Sequence, residues 1–179
     1  MTAGPAGGAA ARDRCPRKAD ETAVRAWKDL TITRGPAPGL ATYACTRATG
    51  RRTRLDDNTS AAGGPWVRAG AWLGYSDRAL GPDGYAVADQ AAYNIRTGAF
   101  REPFPEQRGL DVTTMVLKPN GAFAVAGRLG ADRQRVYRYD RDGYTLLGSY
   151  AMTTAVPLTL RGGTLTWTVN GKRHRARLR

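Results

Sequence analysis

The chain has 179 residues, of which 41% are hydrophobic, a size and composition that suit one folded domain with its own core. It contains no run of the ~18 apolar residues that a membrane helix requires, so we predict no membrane span. Its 28 Lys and Arg exceed its 15 Asp and Glu and give a formal charge of +13, which attracts anionic polymers at low salt. Most of these cations are arginines spread along the chain, a distribution that a GC-rich codon bias also produces.

The N-terminal residues are rich in Ala and Gly. We predict that residues 1–14 form a disordered segment and that residues 15–179 form a single β-propeller-like domain. Residues 9–11 have the small side chains found at signal-peptide cleavage sites, but no apolar segment precedes them. We therefore expect that no complete export signal is present in this sequence, and that the segment is either the remainder of a lost export signal or a flexible tail.

The two cysteines, Cys15 and Cys45, are too far apart for the short paired spacings of a zinc site or a redox motif. A disulfide between them would close a loop of about 30 residues, stabilise the fold by about 3 to 4 kcal/mol and indicate an oxidising compartment. Two buried free thiols are the alternative.

Short segments of alternating apolar and polar residues begin after Asp20. Residues 40–45 and 51–55 are predicted strands, because their apolar residues alternate and a glycine turn separates them. The segment 22–30 has two readings. It is either another strand or a helix capped by Asp20, in which Val24, Trp27 and Leu30 would share one face.

The rest of the chain divides into similar units. Residues 65–103 and 111–150 each contain four predicted strands, and residues 156–179 contain three. In the last unit, residues 164–169 alternate without error between polar and apolar side chains. They are followed by Asn170-Gly171, the dipeptide best suited to a two-residue type I′ turn, so a hairpin is predicted there.

The glycine turns recur at a nearly constant spacing. Gly50, Gly98 and Gly143 follow turns of one kind, and a period of roughly 40 to 50 residues is typical of repeated β modules. We predict an all-β fold of antiparallel four-stranded meanders in a propeller-like arrangement, with two complete and two partial units. Whether the units close into a ring, or the chain is part of a longer propeller, is left open.

These units resemble β-propeller blades, in particular the short WD40-like blades of TolB-type propellers. The resemblance covers residues 22–179 and is carried by strands that end in Asn-Ile-Arg-Thr-Gly (94–98) and Tyr-Asp-Arg-Asp-Gly (139–143). The turns Gly-Pro-Asp-Gly (81–84) and Lys-Pro-Asn-Gly (118–121) are similar to the proline-aspartate-glycine turn of those blades. The resemblance implies ~4 to 8 blades in a complete ring, more units than this chain contains in full.

The segment Cys-Thr-Arg-Ala-Thr-Gly-Arg-Arg-Thr-Arg-Leu (45–55) is similar to a stretch found in a group of secreted actinobacterial proteins of uncharacterised function. This resemblance implies an extracytoplasmic or secreted location. It brings no catalytic residues that can be transferred to this chain.

No catalytic arrangement is evident. The only histidine, His174, lies between Arg173 and Arg175, whereas nucleophilic hydrolysis usually needs a histidine beside the nucleophile. Asp140-Arg141-Asp142-Gly143 lacks the terminal glutamate of a calcium loop. We predict no enzymatic activity, no cofactor and no metal site. The candidates for a carboxylate pair, by residue type alone, are Asp56, Asp57, Asp77, Asp83, Asp89 and Asp111, although aspartates near Gly, Asn or Arg are typical of turns.

The one cluster of positive charge lies in the C-terminal strand region. It contains five candidate anion-binding residues, which are Lys172, Arg173, Arg175, Arg177 and Arg179. The alternative is a solvated edge strand whose charges prevent association between sheets.

We predict an extracytoplasmic, non-enzymatic propeller-like protein that binds an unidentified protein, peptide or glycan, or acts as a scaffold, through loops at one end of its sheets. The alternative function is that of a basic protein that binds nucleic acid or another anionic polymer.

Overall fold

The computed structural model describes residues 14–35, 41–56, 62–80, 86–102, 110–151 and 154–179. Within these ranges the protein is all β, with fifteen strands and no helix. The strands are β1 (Thr22–Trp27), β2 (Leu30–Arg34), β3 (Thr42–Thr46), β4 (Arg51–Asp56), β5 (Ala62–Ala69), β6 (Trp72–Leu80), β7 (Ala86–Asn94), β8 (Phe100–Arg101), β9 (Leu110–Leu117), β10 (Phe123–Leu129), β11 (Arg133–Asp140), β12 (Gly143–Ala151), β13 (Leu158–Arg161), β14 (Thr164–Val169) and β15 (Lys172–Arg177).

The strands form four antiparallel meanders, which we call sheets A to D. Sheet A is β1-β2-β3-β4, sheet B is β5-β6-β7-β8, sheet C is β9-β10-β11-β12, and sheet D is β13-β14-β15. Each described sheet is open, since its first and last strands are not hydrogen bonded to each other. The prediction of antiparallel four-stranded meanders is confirmed.

Sheet A differs from the sequence prediction in having four strands. The segment 22–30 is not a helix: it forms β1, a two-residue turn at Lys28 and Asp29, and the first residue of β2. The second strand was not predicted, although Leu30 and Ile32 alternate with threonines and are fully buried. β-branched residues that alternate with buried apolar ones favour a strand, and pairing with β1 and β3 outweighs the helical spacing of β1.

The hairpin of sheet D is confirmed in detail. Val169 pairs with Lys172, so only Asn170 and Gly171 form the turn. Their φ angles are 49° and 75°, as a type I′ turn requires at both central positions. This turn fixes the register of the whole pair β14–β15, and hence the face on which each C-terminal basic residue lies.

Consecutive sheets pack face to face in chain order, which is the propeller-like arrangement that the sequence predicts. Leu73 packs with Leu30 and Ile32 between sheets A and B, whereas its neighbour Trp72 faces sheet C and packs near Phe123. Full burial of such side chains stabilises a fold by about 1.5–3 kcal/mol each. A third cluster, between sheets C and D, consists of Ala124, Ala126, Val136, Val156, Leu158, Leu165, Trp167 and Val169.

Polar contacts join the same neighbours. Arg68 of sheet B forms a bidentate ion pair with Asp29 of sheet A, with one Nη2–Oδ2 distance of 2.7 Å. Hydrogen bonds from Arg68 lower the pKa of Asp29 to about 2. Between sheets C and D, Lys118 Nζ donates to the carbonyl of Leu178 at 2.9 Å, and Arg138 Nη1 donates to the carbonyl of Arg177 at 2.7 Å.

Cys15 and Cys45 form a disulfide, as one of the two alternatives from the sequence has it. The bond holds the segment 14–21 against the outer face of sheet A. Glu21 of this segment is buried and accepts a hydrogen bond from Arg52. Burial alone would raise the pKa of Glu21, but hydrogen bonds to its carboxylate, led by the one from Arg52, lower it overall.

Of the segment 1–14, which is predicted to be disordered, only Arg14 lies within the described residues, and its Nη1 donates to the carbonyl of Ala48. The division of the chain into this segment and one domain over 15–179 stays a prediction. In the described part of the chain, no helix has the length and apolar character needed to cross a membrane.

Candidate functional site

The outward face of sheet D is built by the alternation of β14. Leu165, Trp167 and Val169 point inward and are buried against sheet C. Successive side chains of a strand point to opposite faces, so the threonines between them, at 164, 166 and 168, point outward. No other described sheet covers them, and Thr164 and Thr168 are exposed.

Arginines flank these threonines on the same face. In the pairing of β14 with β15, Arg173 lies opposite Thr168, Arg175 opposite Thr166 and Arg177 opposite Thr164. On the other side of β14, Thr159 lies opposite Thr166 and Arg161 opposite Thr164. We call this surface the Thr/Arg face; its residues are Thr159, Arg161, Thr164, Thr166, Thr168, Arg173, Arg175 and Arg177.

The Thr/Arg face is a regular grid of donors. Residues two apart on a strand are roughly 6.6–6.8 Å apart, and neighbouring strands are about 4.8 Å apart. A shallow concavity of about 640 Å³ lies over it and is lined by Pro157, Thr159, Arg161, Thr164, Thr166, Trp167, Thr168, Arg173 and Arg175. Hydroxyl and guanidinium groups donate hydrogen bonds to oxyanions, and the strands of sheet D contain no carboxylate that competes for them.

The arginines of this face are not engaged elsewhere. All four of them are exposed. Within the described part of the chain, the side chains of Arg161, Arg173, Arg175 and Arg177 make no hydrogen bond, ion pair or ring contact. Their guanidinium groups are therefore open to a ligand from solvent.

Lys172 and His174 lie on the opposite side of β15. The ring of His174 stacks on Trp167 at 5.4 Å between centroids and also contacts the ring of Tyr150. Tyr150 accepts a hydrogen bond from Trp167 Nε1 at 2.9 Å. His174 therefore packs at the border of the C–D core, and Lys172 shares its side of the strand.

Arg179 ties the end of β15 to sheet C. Its backbone N donates to Asp140 Oδ2 at 2.9 Å, and its Nη1 lies 3.1 Å from Asp142 Oδ2. Asp140 is buried and also lies 3.7 Å from Arg138. Of the five anion-binding candidates, the structure thus brings together Arg173, Arg175 and Arg177 and separates the other two.

The sequence did not single out Arg161 or the threonines of sheet D as site residues. The signal was present in the hairpin turns, because a known register makes positions opposite one another predictable. With Asn170-Gly171 as the turn, Arg173 and Arg175 must share a face with Thr168 and Thr166.

The carboxylate candidates do not form a described site. Asp111 is partly buried and its Oδ2 lies 3.4 Å from Arg128 Nη2. Asp77 and Asp89 are opposite each other in the pairing of β6 with β7. Asp57 and Asp83 lie outside the described residues. Where the structure describes the chain, no group of three or more His, Cys, Asp or Glu residues has the geometry to hold a metal ion.

Comparison with known proteins identifies no family. No family model matches the chain, and no curated protein matches it significantly. Two solved structures are similar at low levels. One is the computationally designed protein Ika8, with a TM-score of 0.39 and 12% identity over 88% of this chain and 58% of that chain. The other is an α-L-arabinofuranosidase (CtGH43) from Clostridium thermocellum, with a TM-score of 0.37 and 14% identity over 83% of this chain and 62% of that chain. The chain thus spans less than two thirds of either structure.

Proposed function

We propose that this chain is a non-enzymatic, extracytoplasmic binding protein, and that it binds an anionic polymer through the Thr/Arg face of sheet D. The observation that carries the proposal is the set of four exposed arginines on this face, interleaved with threonines and without a carboxylate in any strand of the sheet. The proposal joins the propeller-like fold to the alternative function that the basic composition suggests.

The layout favours a polymer over a single small ligand. Arg173, Arg175 and Arg177 recur at every second residue of β15, so the same chemical group is offered repeatedly along one direction. An exposed charge pair contributes only about 0.2–1 kcal/mol. A ligand with repeating phosphate, sulfate or carboxylate groups makes several such contacts at once and releases counterions at each one.

Two observations support an extracytoplasmic location. The Cys15–Cys45 disulfide forms and persists most readily in an oxidising compartment. The segment 45–55 also resembles a stretch of secreted actinobacterial proteins, and the four-stranded sheets resemble the WD40-like blades of TolB-type propellers. A binding role without catalysis is supported by His174, which packs against Trp167 and Tyr150 instead of facing a nucleophile.

The test compares two double variants with the same reduction in charge. Arg173→Ala with Arg175→Ala removes two cations from the Thr/Arg face. Arg96→Ala with Arg133→Ala removes two exposed cations from turn and strand-end positions of sheets B and C. Binding of a labelled single-stranded 20-nucleotide DNA is measured by fluorescence anisotropy across a salt series, with heparin as competitor.

We expect the face variant to bind roughly 5- to 30-fold more weakly than the wild type at low salt, as the removal of two charge pairs of about 0.5–1 kcal/mol each implies. Its salt dependence should also be shallower, by about 0.7 in slope for each phosphate that is no longer neutralised. The control variant should change affinity by less than twofold. Equally weakened binding in the two variants would show that only net charge matters and would refute the assignment to this face. An absence of binding by the wild type at low salt would refute the polymer as ligand.

A further inference from the structure

A second basic surface adjoins the Thr/Arg face where sheets C and D meet. A cleft of about 480 Å³, which we call the C–D cleft, is lined by Lys118, Asn120, Arg141, Arg177, Arg179 and the Gly162-Gly163 turn. Arg177 ends β15 and belongs to both surfaces. The cleft therefore continues the line of Arg173, Arg175 and Arg177 beyond the end of the strand.

The side chains of the C–D cleft have donors to spare. Lys118 Nζ gives one of its three protons to the carbonyl of Leu178 at 2.9 Å, which holds the ammonium group in place and leaves two donors. Asn120 accepts a hydrogen bond from the backbone N of Ala122 on Oδ1 at 3.1 Å, so its amide NH₂ is the group left for a ligand. Both residues are thus positioned by local contacts before any ligand binds.

The charge balance of the cleft is positive. Four of the residues that line it are cationic and none is acidic. Asp142 contacts two of them, Arg179 at 3.1 Å and Arg141 at 3.8 Å, and offsets part of this charge. Arg141 has only that long contact and is 74% exposed, so its guanidinium is free to turn toward an anion.

The Gly162-Gly163 turn gives a ligand close access to the backbone. Both glycines have positive φ, 53° and 86°, and neither has a Cβ that would cover the floor of the cleft. Small groups at a turn allow a compact anion to approach backbone and side-chain donors together.

We propose that the C–D cleft binds one compact oxyanion, a phosphate or sulfate group, and that this group is the end of the polymer bound along the Thr/Arg face. The oxyanion site stands on the cleft alone, whereas its role as the end of the binding surface rests on the proposed function. Lys118, Asn120 and Arg141 are the side chains that contact the oxyanion.

The oxyanion site is tested with inorganic pyrophosphate as the probe. The amide signals of the disulfide-bonded full chain are followed by ¹H–¹⁵N NMR during titration. We expect shifts that saturate and centre on Gly162, Gly163 and Asn120. Shifts spread evenly over the basic surface would mean nonspecific ion binding and would overturn the site, as would an absence of saturable shifts.

Variants of Arg141 test which side chain is responsible. This side chain is highly exposed and makes only one long contact, so its removal should leave the fold intact. Arg141→Ala should weaken pyrophosphate binding about fivefold, and Arg141→Glu should weaken it further, because an exposed charge contact contributes about 1 kcal/mol. Arg133→Ala, at the opposite end of sheet C, is the matched control and should leave the affinity unchanged. Equal affinity in Arg141→Ala and the control would overturn the proposal.

A last comparison separates this proposal from the polymer-binding function. The labelled 20-nucleotide DNA is used with and without a terminal phosphate. We expect the phosphorylated form to bind the wild type several-fold more tightly, and this advantage should vanish in Arg141→Ala but persist in Arg173→Ala with Arg175→Ala. If the DNA binds through the Thr/Arg face without any such advantage, the polymer function stands and the cleft is not its end. If pyrophosphate binds in the cleft but the DNA does not bind, the oxyanion site stands and the polymer function fails.

Discussion

Loss of the Cys15–Cys45 disulfide is expected to lower the free energy of unfolding by about 3.6 kcal/mol. The bond joins residues that are 30 apart in sequence. In the chain-entropy relation, a closed loop of that length removes about 12 cal/mol/K from the unfolded chain, which is about 3.6 kcal/mol at 25 °C. For a chain of this size, the same change lowers Tm by roughly 7–14 °C.

The measurement is urea unfolding of the oxidised wild type, the reduced wild type and a Cys15→Ala/Cys45→Ala variant. Mass spectrometry of the starting material verifies that the bond is formed. The reduced protein and the variant should unfold at similar urea concentrations, below that of the oxidised protein. Because both cysteines are buried, a small additional destabilisation of the variant would come from packing. A difference below about 1 kcal/mol between oxidised and reduced protein would refute the entropy argument.

Two further predictions concern a turn and an ion pair. Gly121→Ala should cost more than 2 kcal/mol in thermal unfolding, because its φ is 84° and a Cβ there would lie 2.6 Å from the Trp72 ring; Gly130→Ala, with φ 70° and open space, should cost only about 1–2 kcal/mol. Equal destabilisation would show that Trp72 moves aside. The Asp29–Arg68 pair, in which the pKa of Asp29 falls from 3.8 to about 2, should contribute stability that is complete above about pH 4 and is lost as pH falls through 2. Asp29 is 56% exposed, so this contribution should stay below about 1 kcal/mol; Asp29→Asn should remove it in urea unfolding at pH 5 and leave no difference at pH 2, and a larger gap at pH 2 than at pH 5 would contradict the sign.

The strand pattern was predictable wherever local signals agreed. In β14, alternation, β-branched residues and the Asn170-Gly171 turn all favour the same hairpin, which the structure contains. The segment 22–30 was ambiguous because Val24, Trp27 and Leu30 also fit a helical period. Only the pairing of β1 with β2, a strand without glycine or proline punctuation, resolves it, and that pairing is a tertiary effect that a local pattern does not contain.

The candidate site was predictable in part for the same reason. A run of basic residues was evident, but its members lie on two sides of one strand, and the turn register separates Arg173 and Arg175 from Lys172 and His174. This division follows from the sequence once the turn type is known. The tether of Arg179 to Asp140 and Asp142 does not, since it joins residues 37 to 39 apart on different sheets.

The outer faces of the first and last sheets show why the charge of sheet D points to a ligand. On sheet A the outward residues are also threonines and arginines, among them Thr33 and Arg52. There the chain covers its own face: the disulfide holds the segment 14–21 in place, and the buried carboxylate of Glu21 pairs with Arg52. Exposed arginines alone are compatible with simple solvation. The described part of sheet D instead has the same surface chemistry without the acidic partner, so an external anion there would take the position that Glu21 occupies on sheet A.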